Sequence, residues 1–275
     1  MDIVIISSAK DPASMNIKEN LLTNFEFDKS EEKFDNNDIF ELKSNSIEIK
    51  LYTINSELIY TDNLDTKIHA DIFIFISKHQ SAGGIATLTI HPIGNFGKAE
   101  YGGKENKLCI SPSYYIKDIF NELNKITQAD YEITLEVTHH GPFMEKPLLF
   151  IEIGSTEKEW ENKNAGSIIA KTLIHVLNSN EKNYESLFVI GGQHYNNIAN
   201  KVMLKTEYAA GHICAKYNLQ NLNAEIIKEA MAKTIPKSKL VLLDWKGLGK
   251  EKQRIVDILE KNNIEYKRSD RFFEN

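Results

Sequence analysis

The chain has 275 residues, 41% of them hydrophobic, which is enough for one large α/β domain or two smaller ones with a substantial core. A net charge of −6, with 33 basic against 39 acidic residues, argues against indiscriminate nucleic-acid binding and leaves room only for a local basic patch. No apolar run reaches the length needed to span a bilayer, so no membrane partner is expected.

Taken in chain order, the sequence opens on DIVIIS (2–7), a strand preceded by no basic region of the kind that starts a signal peptide, and a cytoplasmic protein is expected. The stretch 25–38, FEFDKSEEKFDNND, is acidic and without period and reads as a surface loop. Strands follow at IEIKLY (47–52), DIFIFIS (71–77) and IATLTI (85–90), on their Ile, Val and Phe content. A glycine-rich stretch near 92–111 is either a long functional loop or a break between two lobes. Beyond it a helical pattern covers 111–126, strands cover 132–137 and 148–153, and a second helix covers 164–178. The chain continues with a strand at 187–190, a helix at 222–233, a strand at 239–243 and a helix at 250–262. Strands alternating with helices predict an α/β fold, a three-layer sandwich with a mainly parallel, mixed central sheet. Residues 1–275 would form one compact unit, or two α/β lobes divided near 92–111.

Five of the eight histidines stand just after a predicted strand: His79, His91, His139, His140 and His194. His212 lies in the loop-like AAGHI, whereas His69 precedes a strand and His175 sits in an apolar helical pattern, where a core or surface role is the plainer reading. Ligands of open α/β sheets bind outside the carboxyl ends of strands, so this placement points to one polar cluster built from several loops. Such a cluster could hold a metal or move protons. Cys109 and Cys214 are far apart with no CxxC, so a disulfide framework or a cysteine-based zinc site is not expected.

Glu152 interrupts the apolar LLFIEI and, by alternation, shares a face with Leu148 and Phe150. A buried glutamate needs a cation, metal or donor, and the alternative is an edge strand open to water. Thr156 and Glu159 have the spacing of a capping box. Gly191 and Gly192, ahead of His194 and Tyr195, either let backbone approach a ligand or make a tight turn. The GxSxG, HExxH and GxxxxGK[ST] signatures are missing from the sequence.

The ordered set KDPASMNI (10–17), SKHQS (77–81), LTIHPIGN (88–95), EVTHHGP (136–142), FIEIGSTEKEW (150–160), GGQHY (191–195), GHI (211–213) and DWKG (244–247) resembles the zinc-dependent D-aminoacyl-tRNA deacylases of archaea and plants. The resemblance implies hydrolysis of the ester between a D-amino acid and the 3′-terminal ribose of tRNA, with bound zinc. His79, His91, His139, His194 and His212 would be its metal ligands, and His139, His140, Glu152 and His194 the catalytic set. Because neighbours in extended chain point to opposite faces, only one of His139 and His140 is expected to meet the metal directly. Substrate contacts are expected from Lys78, Gly191, Gly192 and Tyr195. Lys78 stands where the family leads one to expect arginine, and lysine meets phosphate without a bidentate fork.

Lys246, Lys250 and Lys252 fall where strand, turn and helix order brings them to the sheet edge of the histidines, and would lead the acceptor end of D-aminoacyl-tRNA toward the site. A solvated helix face is the alternative. The protein is expected to act as a monomer. A zinc amidohydrolase or peptidase acting on a small substrate would use the same histidines without a basic path, and a non-catalytic ligand-binding module would keep the glycine loops alone.

Overall fold

In a computed structural model the described residues are all except 45–46, 128–129, 180–181 and 274–275. The first strand, Asp2–Ser8 (β1), is buried from Ile3 onward. Asp11 then opens Pro12–Asn24 (α1), its carboxylate accepting the Ser14 amide at 2.9 Å while Pro12 fills the first turn. Asp28–Phe34 (β2), Asn37–Ser44 (β3), Ile47–Ile54 (β4), Ile72–Lys78 (β5) and Thr87–His91 (β6) follow. Next come Ser111–Pro112 (β7), Ser113–Ile126 (α2), Glu132–Leu135 (β8) and Leu148–Gly154 (β9). Glu157–Trp160 (α3) begins at the expected Thr156–Glu159 capping box and is followed by Lys163–Leu177 (α4). Glu185–Ile190 (β10), Asn197–Lys205 (α5), Tyr208–Cys214 (β11), Ala224–Ala232 (α6) and Thr234–Ile235 (β12) come next. Leu240–Leu243 (β13), Lys252–Lys261 (α7), Tyr266–Arg268 (β14) and Ser269–Phe272 (α8) complete the order.

Eight strands form one sheet in the order β2-β3-β4-β1-β5-β9-β6-β8, and four form a second, β11-β10-β13-β14. The second sheet is parallel throughout. In the larger sheet β4, β1, β5 and β9 run parallel, whereas β6 is antiparallel to β9 and carries β8 with it. The fold is therefore the expected mixed α/β arrangement, with helices on both sides. One apolar cluster joins Ile5, Ile74 and Ile151 of the large sheet to Ile17, Phe120 and Leu173 of α1, α2 and α4 and to Leu187 and Leu242 of the small sheet.

Two stretches differ from the reading above. Residues 25–38 include β2 and the turn into β3 rather than a loop, and Lys29 and Lys33 both pair with Asp38 across the hairpin. AAGHI belongs to β11, buried from Ala209 to Cys214, so His212 is a strand residue. Between helices, Lys117 of α2 is almost wholly buried and donates to the carbonyls of Met203, Thr206 and Tyr208 at 3.0, 2.6 and 2.8 Å. A single ammonium thus satisfies the last turn of α5 and the entry to β11.

Candidate active site

The side chains of Phe75, Phe150 and Leu148 make an apolar face on the large sheet, and Glu152 projects from that same face of β9 at 3% exposure. Strand β9 is central, between β5 and β6, so the edge-strand alternative for Glu152 does not hold. His79 follows β5 and approaches Glu152 from one side. His91 ends β6, pairs with Phe150 and arrives from the opposite direction because β6 is antiparallel. The histidines therefore meet over a sheet face, and not beyond one shared row of carboxyl ends.

Residues 136–139 complete the cluster and join the two sheets. The Glu136 amide donates to Ile90 O at 3.1 Å, the Val137 amide to His194 O at 3.0 Å and the Thr138 amide to Ile213 O at 2.8 Å. Glu136 is fully buried, and its carboxylate lies 2.8 Å from His194 Nε2, 3.1 Å from His79 Nδ1 and 3.5 Å from His139 Nε2. Glu152 lies 3.6 Å from His79 Nδ1 and 3.7 Å from His91 Nε2. At His140 the chain leaves the extended form, with φ +45°, and both neighbouring rings turn to the same centre, 4.3 Å apart. A positive φ is unfavourable for a residue with a side chain, so the surrounding structure holds it there.

Backbone carbonyls fix the rings. Nδ1 of His139 donates to Val137 O at 2.8 Å, that of His140 to Gly141 O at 2.5 Å and that of His91 to Pro92 O at 3.3 Å. Each Nε2 is thereby left for the centre. Tyr195 Oη bonds His79 Nε2 at 2.8 Å, which aims His79 Nδ1 at the carboxylates, and Tyr217 Oη bonds His194 Nδ1 at 3.1 Å.

Burial opposes the charge on Glu136, but the His194 hydrogen bond and the imidazoles beside it hold that carboxyl well below the usual range. Glu152 is depressed in the same way, with His79 and His91 outweighing its burial. Burial also opposes charge on His79 and His91, yet their contacts with Glu152 raise both. His139 and His140 go the other way. Burial, then His140 and His91 as neighbours, push His139 well down, and burial followed by His91 lowers His140 to about 4.

Three sets of side chains bring ligand atoms within 4.8 Å of one another: His91, His139 and His140; Glu136, His139 and His194; His79, Glu136 and Glu152. His91 Nε2 is buried without a hydrogen-bond partner, and Glu136 Oε1 has only the His79 Nδ1 contact at 3.1 Å, outside hydrogen-bond geometry. Such orphaned acceptors and imidazole nitrogens fit a divalent cation, and this mixed nitrogen and oxygen donor set suits zinc.

His212 does not join them. Its Nε2 lies 3.1 Å from Cys109 O and its Nδ1 3.1 Å from Thr138 Oγ1, so both ring nitrogens are engaged, and burial lowers it to about 4. Gly191 and Gly192, at φ +109° and +92°, pack against Asp244 and Asn196 and serve the turn rather than lining the cavity. The cavity, about 730 Å³, is lined by Lys78 together with Lys10 and Lys98, which the sequence reading passed over. Lys246, Lys250 and Lys252 stand outside that lining, and Lys252 Nζ lies 4.4 Å from the Trp245 ring centre. Glu136 was also passed over. By alternation it shares a face with Glu132 and Thr134, so unlike Glu152 it breaks no apolar row in the sequence. Both cysteines are buried, and burial pushes the Cys109 thiol up to about 12.

A mixed α/β fold that gathers five imidazoles and the carboxylates of Glu136 and Glu152, at and just beneath the wall of one cavity, has the donor groups of a metal-competent hydrolase. More particularly, the chain belongs to the D-aminoacyl-tRNA deacylase family, whose profile matches residues 66–267. It is 38% identical to the D-aminoacyl-tRNA deacylase of Pyrococcus furiosus, over 96% of this chain and 98% of that relative. It is 33% identical to the D-aminoacyl-tRNA deacylase of Archaeoglobus fulgidus, over 92% and 91%. The crystal structure of a conserved protein of unknown function, AF0625, superposes with a TM-score of 0.89 at 30% identity, covering 100% of this chain and 97% of that one.

Proposed function

We propose that the chain hydrolyses the ester joining a D-amino acid to the 3′-terminal ribose of tRNA at the cluster of His79, His91, Glu136, His139, His140, Glu152 and His194. The carrying observation is the convergence of imidazole nitrogens and carboxylate oxygens within 4.8 Å of one another in a chain that belongs to the deacylase family. Zinc is the cofactor, held by the ligand sets that leave His140 free, Glu136 with His139 and His194 and His79 with Glu136 and Glu152. When bound, it supplies Lewis-acid polarisation of the ester carbonyl and acidifies a water toward pKa about 7.

The chain's own groups do the rest. Glu136 holds His79 and His194 in place, and Tyr195 holds His79 from the far side. His140, whose Nδ1 proton is tied to Gly141 O and whose pKa is lowered, presents Nε2 as a free base at neutral pH. It takes the proton of the attacking water and returns it to the departing ribose oxygen. Lys78 and Lys10 meet the phosphate of the terminal nucleotide, with Lys246, Lys250 and Lys252 farther out along the acceptor stem. Support for the whole chain working as one unit is the apolar cluster shared by both sheets. Among the described residues no helix is long and apolar enough to cross a membrane.

The test is hydrolysis of matched D- and L-aminoacyl-tRNA by zinc-loaded and chelator-treated protein. Preferential cleavage of the D-ester, lost with chelator and restored by zinc, is expected. Cleavage indifferent to chelation would remove the metal, and no cleavage of the D-ester would remove the function.

A further inference from the structure

Seven large apolar side chains are exposed among the described residues, and three are tyrosines, two of them in the wall of the histidine cavity. Tyr217 (55% exposed) and Tyr101 (64%) line the cavity itself. Tyr60 (56%) stands outside that lining, its ring 3.2 Å from where a side chain on Gly102 would begin. Scattered surface aromatics need no explanation, but rings set in the wall of one polar cavity offer flat faces to whatever enters it. Lys10, Lys78 and Lys98 line the same cavity, alongside the carboxylates of Asp11, Glu57, Glu100 and Glu152. Cations interleaved with exposed aromatic rings suit unpaired nucleotides, whose bases stack and whose phosphates need charge.

We infer that Tyr217 and Tyr101 form a stacking site for the unpaired bases at the 3′ end of the RNA, and that Tyr217 couples occupation of this site to the orientation of His194. The inference rests on the deacylase reading and adds the nucleobase subsite to it. Tyr217 is placed for both tasks. Its ring is open to the cavity while its hydroxyl bonds His194 Nδ1 at 3.1 Å, and His194 Nε2 in turn meets Glu136 at 2.8 Å. The turn that carries Tyr217, Lys216–Asn221, is tied to the loop of His194, because the Lys216 amide donates to Gly192 O at 2.9 Å. A base stacked on Tyr217 would restrict the ring and, through its hydroxyl, the imidazole. Tyr217 is thus a positioning residue as well as a binding one.

The experiment compares zinc-loaded wild type with Tyr101→Leu, Tyr217→Leu and Tyr217→Phe. Substrates are a D-aminoacyl-tRNA and the methyl ester of the same D-amino acid, with the trinucleotide CCA as competitor. Each leucine variant should raise KM for the tRNA and the inhibition constant of CCA roughly 5- to 100-fold, with KM for the methyl ester within about twofold of wild type. Tyr217→Phe keeps the ring, so KM and CCA inhibition should stay, while kcat falls on both substrates. Unchanged KM and CCA inhibition in the leucine variants, or an equal rise in KM for both substrates, would overturn the stacking site. A wild-type kcat in Tyr217→Phe would overturn the coupling. Failure of the deacylase reading itself is separable, because wild type would then leave D-aminoacyl-tRNA uncleaved while CCA binding could still be measured directly.

Discussion

Residue by residue, the site separates histidines that face a common centre from one that only looks like them in sequence. His212 has both ring nitrogens engaged by Thr138 and Cys109. Its folded pKa of about 4 lies below the ordinary 6.5, so between those values the unfolded chain binds the proton and the folded one does not. Stability from this group is complete above pH 6.5 and is lost as pH falls toward 4, by about 3 kcal/mol in full. Urea unfolding at pH 7.5 and pH 5 should therefore show a steeper acid loss in wild type than in His212→Gln, and zinc stoichiometry should be the same in both. Loss of zinc in the variant would place His212 among the ligands. Metal content should likewise survive replacement of Cys109 and Cys214 by serine, read by elemental analysis, and zinc lost there but kept in His139→Ala would reverse the assignment. In the sequence, five of the cluster's histidines were legible because a histidine after an apolar run stands out. Glu136 was not, since a glutamate at a strand end is ordinary until both of its faces are known to be covered.

At the scale of elements, small residues hid one strand and charges hid another. Tyr208–Cys214 reads YAAGHIC, with Ile213 its one branched residue, and Gly211 lies against Thr234 so closely that a Cβ would fall 2.3 Å from the Thr234 methyl. Asp28–Phe34 exposes charges along most of its length, as an edge strand does, and only the Asp35–Asn36 turn, with φ of +52° and +62°, signals a hairpin. The elements rich in Ile, Val and Phe were found because burial on both faces demands those residues. Lys117 offers a prediction at this scale. Lys117→Met fills similar volume but strands three carbonyls on α5 and β11, and should destabilise by about 2–4 kcal/mol in urea unfolding. The site lies elsewhere, so kcat/KM per folded molecule should be near wild type. A loss within error of zero would mean that water can serve those carbonyls.

For the whole molecule, the segment 136–139 hydrogen-bonds to both sheets, and the ligand sets straddle it. His79, His91 and Glu152 belong to the large sheet, while His194 follows β10 of the small one. Zinc at the cluster should therefore raise the thermal midpoint, with a stabilisation of about 4 kcal/mol at a free concentration 1,000 times its Kd. A calorimetric scan with and without zinc measures this, and His194→Ala should shrink the rise. An unchanged midpoint in wild type would put zinc off the seam. The sequence read as strands and helices could not disclose this seam, because strand direction is set by pairing partners, and the reversal of β6 against β9 leaves no mark in local periodicity.

The carbonyls that fix His91, His139 and His140 lie one or two residues from their own histidines, at Pro92, Val137 and Gly141. Which nitrogen each ring offers is thus written into single peptide units and needs no distant carboxylate to enforce it. A short graft carrying residues 136–142 would bring its own tautomers to a foreign scaffold, leaving the host to supply only position. Divergence in the surrounding loops can move the centre as a unit without scrambling its chemistry.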